Sequence, residues 1–157
     1  MDPARSTSQA EVPASNGSGK AGAPSRVCVV TLGGELFAID LRCVREVFEL
    51  ESVTPVPGMP STLVGVANLR GTVMPLADLR PSLGIQSAAT QPFVVVVRHG
   101  SQQVGILIDA VPEIRTIHPD DLLNGASRGM SESRPFLSGL VKIEDRMIDM
   151  VGVQKLL

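Results

Sequence analysis

The 157-residue chain contains no tryptophan, no tyrosine and only four phenylalanines. Aliphatic side chains must therefore fill its core, and a nucleic-acid groove built on stacking aromatics is not expected. Cysteine is nearly as scarce: Cys28 lies in an apolar run and Cys43 among alternating charged and apolar residues, with no Cys-x-x-Cys and no nearby histidine. Both read as reduced thiols. The two histidines, His99 and His118, have no Cys or second His at ligand spacing, so no metal site is expected. Charge of either sign is also in short supply. A formal net charge of −2 provides no long-range field for phosphates or an anionic membrane, which leaves protein surfaces or small molecules as partners. The longest uncharged stretch, Ser52 to Leu69, is interrupted by Pro55, Pro57 and Pro60, so it cannot span a bilayer as a helix. No apolar segment of signal-peptide length opens the chain, and a cytoplasmic location is expected.

Catalytic signatures are missing too. There is no Gly-x-Ser-x-Gly, no phosphate-cradling Gly-x-x-x-x-Gly-Lys and no Gly-x-Gly-x-x-Gly after a strand. Asp40, Asp78, Asp109 and Asp149 recur at corresponding strand ends or turns, where capping is the simpler role for a carboxylate. His118-Pro119-Asp120-Asp121 has the proline and acidic residues of a first helical turn. Neither an enzyme nor a cofactor-dependent protein is expected.

What the chain does have is short Val- and Ile-rich runs punctuated by Gly, Pro and Asp from Arg26 onward. This is the pattern of many short strands joined by tight turns. Residues 1–25 carry almost no large apolar side chain and are expected to form a disordered tail ahead of one domain at 26–157. Val27 to Leu32 and Leu36 to Ile39 flank Gly33-Gly34, a hairpin signal, because glycine supplies the positive φ angles of primed turns. A short helix is expected over Leu41 to Val47, capped by Asp40, with Leu41, Val44 and Phe48 on one face.

The chain also repeats itself. An offset of 67 residues lays Val27, Val29 and Val30 on Val94, Val96 and Val97, Gly33 on Gly100, Val44 on Val111, Glu46 on Glu113 and Val47 on Ile114. An offset of 74 then aligns Gly65 with Gly139, Leu69 with Ile143 and Leu76 with Met150. The domain thus divides into related halves, approximately 26–88 and 92–157. Five or so short strands per half suit small closed barrels better than an open sheet with exposed edges. An all-β fold of two such barrels is expected.

The run Gly65-Val66-Ala67-Asn68-Leu69-Arg70-Gly71-Thr72-Val73-Met74-Pro75-Leu76-Ala77-Asp78-Leu79-Arg80 closely resembles the signature of CheW-type coupling domains. Phe37-Ala38-Ile39-Asp40, Val44-Arg45-Glu46-Val47, Thr54-Pro55-Val56-Pro57 and Val104-Gly105-Ile106-Leu107-Ile108-Asp109 support the resemblance. It implies two five-stranded SH3-like barrels with short helical connections and no catalytic activity. The implied partners are the regulatory domain of a CheA-type histidine kinase and the cytoplasmic tip of a chemoreceptor. Such an adaptor needs no cofactor and no membrane insertion, and it is recruited to receptor arrays through its partners.

Residue by residue, the resemblance points to Val44, Glu46 and Val47 after the first hairpin and to Asn68, Leu69, Arg70 and Gly71 around the second. Against it, Val44 and Val47 read more readily as core, Glu46 as a solvated residue and Gly71 as a turn requirement. The repeat favours Arg70 independently: Leu69-Arg70-Gly71-Thr72 aligns with Ile143-Glu144-Asp145-Arg146, so turn character persists while the charge reverses. Phe48-Glu49 departs from common family patterns, which bears on receptor specificity. Two rival readings remain at this point: the same adaptor role in a chemotaxis-like pathway controlling pili, gliding or second-messenger synthesis, and a small-barrel enzyme or nucleic-acid binder.

Overall fold

The computed structural model describes residues 23–123 and 136–156. The expected tail lies outside the described residues as far as residue 22. Eleven strands are described: β1 (Ser25–Leu32), β2 (Glu35–Asp40), β3 (Val44–Glu49), β4 (Leu63–Leu69), β5 (Thr72–Ala77), β6 (Phe93–His99), β7 (Gln102–Ile108), β8 (Glu113–Ile117), β9 (Leu122–Leu123), β10 (Leu137–Ile143) and β11 (Arg146–Val151). Short 3-10 turns are the only helical elements among the described residues, so the chain is all-β.

The repeat is visible in these bounds. The offset of 67 carries β1 and β2 onto β6 and β7 to within one residue, and the offset of 74 carries β4 and β5 onto β10 and β11 end to end. The strands of one half do not stay in one sheet, however. One sheet runs β8-β1-β2-β11-β10-β9 and the other β3-β6-β7-β5-β4, so each takes its leading hairpin from the opposite half. The joins are parallel: Met150 lies opposite Ala38 in one sheet, and Leu76 lies opposite Gly105 at the matching position in the other. Parallel neighbours need a long crossover connection, and the chain between each hairpin and its sheet supplies one.

This exchange explains why β1 and β6 read as unbroken apolar runs. Cys28, Val30 and Leu32 face a core shared by both sheets with Phe37, Val95, Val97, Ile106 and Ile108. The alternate residues Val27 and Val29 fill the interior of the first barrel with Val141, Ile143 and Ile148. Val94 and Val96 do the same in the second with Ala67, Leu69 and Met74. A strand buried on both faces has no polar side to present.

The helix expected over Leu41 to Val47 is corrected. Asp40 does cap a turn, its carboxylate accepting a bond from the Arg42 N–H at 2.9 Å, but that 3-10 turn ends at Cys43. From Val44 the chain is strand β3, alternately half-buried and exposed, pairing with β6 from Val44 opposite Val97 to Glu49 opposite Phe93. Tertiary pairing along an otherwise open edge outweighs the weak local signal, and the β-branched Val44 and Val47 suit a strand. His118-Pro119-Asp120-Asp121 does form the expected helical turn over Pro119–Asp121.

Cys28 is buried and desolvation pushes its thiol up to about 11, whereas Cys43 is only half-buried. Iodoacetamide at pH 8 is therefore expected to alkylate at most one cysteine of the folded protein, Cys43, and both only in denaturant. Intact mass decides it, since two adducts under native conditions would place Cys28 at the surface.

Candidate partner-binding site

The seven singled-out residues come from opposite edges of one barrel. Val44, Glu46 and Val47 lie on β3, at one edge of the five-stranded sheet, and Asn68 to Gly71 lie where β4, the other edge, turns into β5. The barrel brings the two edges together at one ion pair, Arg70 Nη2 to Glu46 Oε2 at 2.6 Å. The Arg70 guanidinium also sits 5.5 Å from the centre of the Phe48 ring, within cation–π range.

The hairpin that carries Arg70 has a backbone cost. Arg70 has φ 53° and Gly71 φ 81°, the left-handed pair of a type I′ turn, where Asn-Gly or Gly-Gly is the easy choice. Asn68 Oδ1 steadies the turn by accepting the Gly71 N–H at 2.8 Å. At the repeat position Glu144 and Asp145 have φ 51° and φ 66°. The turn is thus a property of the repeat and has no need of arginine. The Arg70 side chain is 74% exposed, and an exposed pair of this kind contributes about 1 kcal/mol or less. Arg70 is therefore a surface donor group more than a structural bolt.

The other positions sort by depth. Leu69 is buried in the barrel interior and supports the hairpin from within. Val44 is half-buried against the shared core, as a core reading expects, but Val47 is 37% exposed and departs from it. The repeat mates of these valines, Val111 at 65% and Ile114 at 49%, are also exposed. Sequence reasoning passed over both, although the offset of 67, which pairs them with Val44 and Val47, is the signal that points to them. An open depression of about 370 Å³ beside Arg70 is edged by Phe48, Glu49, Glu51 and Asn68.

The aspartates behave as local anchors. The Arg42 guanidinium, through its hydrogen bonds, holds the Asp40 carboxyl below the usual range. Asp78 pairs with Arg80 at 2.9 Å in a largely buried position, and Arg80 Nη1 donates to the Ala89 carbonyl at 2.8 Å. Among the described residues no three His, Cys, Asp or Glu side chains are grouped to hold a metal ion.

The first barrel, built around β1, carries a charge-reversed version of the Arg70 site. There Arg115 on β8 bridges Glu113, at 3.2 Å, and Glu144 in the β10–β11 turn. An ion pair again joins the sheet's first strand to the far hairpin, with the acid now on the turn.

A family model described as the CheW-like domain matches residues 26–157. The chain is 34% identical over 122 residues to the chemotaxis protein CheW of Rhizobium meliloti, covering 76% of this chain and 79% of that one. It is 30% identical over 131 residues to the CheW of Klebsiella aerogenes, covering 82% and 79%. Protein PilI of Pseudomonas aeruginosa is 29% identical over 111 residues, covering 69% and 62%. Among solved structures, the scaffolding protein TtCheW of Thermoanaerobacter tengcongensis superposes with a TM-score of 0.74 at 28% identity, covering 82% of this chain and 89% of that one.

Proposed function

The chain belongs to the CheW-like domain family, and from that premise we propose that it couples chemoreceptors to a CheA-type histidine kinase as a non-enzymatic scaffold. The observation that carries this is the family match over 26–157 together with the shared fold of a scaffolding protein. The family is one of adaptors without catalytic activity. The chain's part is to present surfaces, and the modest area of each contact is offset by several acting together. No helix among the described residues is long and apolar enough to cross a membrane, and recruitment to receptor arrays runs through the partners.

Arg70, Glu46 and Asn68 form the polar part of the binding site, and exposed Val47 supplies an apolar contact. Val44, Leu69 and Gly71 belong to the site as its support, holding β3 and the hairpin in register. Residues 26–157 act as the functional unit, with residues 1–25 dispensable for it. A second reading, the same adaptor role in a chemotaxis-like pathway, draws on the similarity to PilI.

Calorimetry of the full chain with a CheA-type regulatory domain tests the reading. Binding is expected without nucleotide and unchanged by a chelator. Binding that disappears on chelation would reveal a metal site and sink the cofactor-free scaffold, and no binding to kinase or receptor would remove the coupling role.

A further inference from the structure

We propose that Phe48 is a positioning residue for the partner-binding site: its ring holds one face of the Arg70 guanidinium, so that Arg70 meets a partner already in place and with N–H donors to offer. This rests on the reading of Arg70 as a group that a partner contacts, and it brings in a residue outside the seven.

The alternation of β3 puts two supports for Arg70 on one side. Glu46 and Phe48 are two residues apart, so their side chains leave the same face of the strand. Both are half-buried, whereas Arg45, Val47 and Glu49 are exposed. Phe48 is itself held from within, where it packs against the cluster that contains Ala67, Leu69, Met74 and Val94. Its pairing opposite Val94 fixes it along the strand.

Arg70 comes from the far hairpin and is held at both ends. Its backbone sits in the left-handed turn at φ 53°, and the next N–H, that of Gly71, is bonded to Asn68 at 2.8 Å. Its head pairs with Glu46 at 2.6 Å and lies 5.5 Å from the centre of the Phe48 ring. An exposed ion pair alone is a weak restraint on so long a side chain. The ring adds a second point of contact, within the range at which an aromatic face attracts a cation.

The other barrel shows what the ring changes. The offset of 67 lays Glu46 on Glu113 and Phe48 on Arg115, and the offset of 74 lays Arg70 on Glu144. There the arginine is on the strand and carboxylates hold it, Nε and Nη2 donating to Glu113 and Nη1 to Glu144. All of its nitrogens are engaged. A guanidinium has five N–H donors, and a single carboxylate, even a bidentate one, accepts only part of them. A ring takes none, because it meets the flat face. Arg70, held by one carboxylate and one ring, therefore keeps donors in its plane for an acceptor on a partner. Ordering a long side chain at an interface weakens binding, and here Phe48 has ordered it beforehand.

Nitrogen-15 NMR of the full chain reads the pose through the Arg70 Nε–H, identified as the resonance that Arg70→Lys removes. Phe48→Leu keeps an apolar side chain on the interior cluster and takes away the ring. It is expected to shift that Nε–H and increase its fast motion, whereas Phe48→Tyr, which restores a ring, is expected to leave both near the parent. Calorimetry follows, with the kinase regulatory domain or receptor whose binding Arg70→Glu weakens. Phe48→Leu is expected to weaken that binding at least about threefold and Phe48→Tyr to stay within about twofold of the parent, while in an Arg70→Ala background Phe48→Leu changes it by less than about 1.5-fold. Should Phe48→Leu fail to fold, Phe48→Met takes its place, since methionine fills irregular gaps. An Nε–H equally mobile with and without the ring, normal binding by Phe48→Leu, or a loss that persists in the Arg70→Ala background would overturn the proposal. If Arg70→Glu weakens neither partner, the reading of Arg70 as a contact is what fails, and the proposal falls with it even where the Nε–H shows the ring holding the head.

Discussion

Replacing Phe37 by alanine is expected to lower the thermal midpoint by roughly 10 to 20 °C, a larger loss than alanine at any other phenylalanine of the chain should bring. Phe37 is wholly buried and lies in the core that the two barrels share. It is also on β2, opposite Asp149 in the parallel join with β11. Truncating a buried Phe costs about 3–5 kcal/mol. The buried residues around Phe37 are almost all aliphatic and come from both sheets, and close packing leaves them little room to collapse into the space. Phe93 and Phe136 are only partly buried, and alanine at either should cost less. Differential scanning calorimetry is the measurement, and a midpoint within about 2 °C of the parent would mean that the barrels do not depend on a common core.

Arg70→Glu is expected to leave the far-ultraviolet circular dichroism and melting behaviour nearly unchanged while weakening kinase or receptor association at least about tenfold, or roughly 1.4 kcal/mol. Glutamate is acceptable to this backbone, because Glu144 occupies the matching turn at φ 51°. What changes is the surface: a planar five-donor head becomes a carboxylate facing Glu46, and the cation over Phe48 is lost. The double variant Glu46→Arg, Arg70→Glu separates a clasp from a recognition group. It restores an ion pair with reversed polarity, so recovery of binding would show that the pair matters only as a clasp across the barrel. Continued loss shows that a partner reads the side chains of the pair themselves and not only the clasp they form.

The fold was legible where side-chain pattern and turn chemistry agree. The hairpin strands, the glycine turns and the offsets of 67 and 74 all reappear in the strand bounds. The exchange of leading hairpins was not legible, since a repeat shows which strands are alike and not which ones become neighbours. Leu41 to Val47 misled because Asp40 sends a true capping signal and the strand that follows is stabilised by a partner far along the chain, Val97 opposite Val44. At the site, the sequence found Glu46 and Arg70 as separate candidates, and only barrel closure makes them a pair. Val47 read as core because apolar residues usually are; its exposure depends on β3 being a sheet edge.

The parallel join of β2 to β11 also bears on how the protein is made. Asp149 lies opposite Phe37, and Val151 opposite Ile39, so β2 finds its parallel neighbour only after about 110 further residues have been made. Until then β1 and β2 can pair with each other, but their apolar faces have no settled cover. Such long-range pairing slows folding and prolongs the exposure of sticky strands. It also makes formation of this sheet nearly all-or-none, because a chain that stops short of β11 lacks the strand that joins β2 to β10.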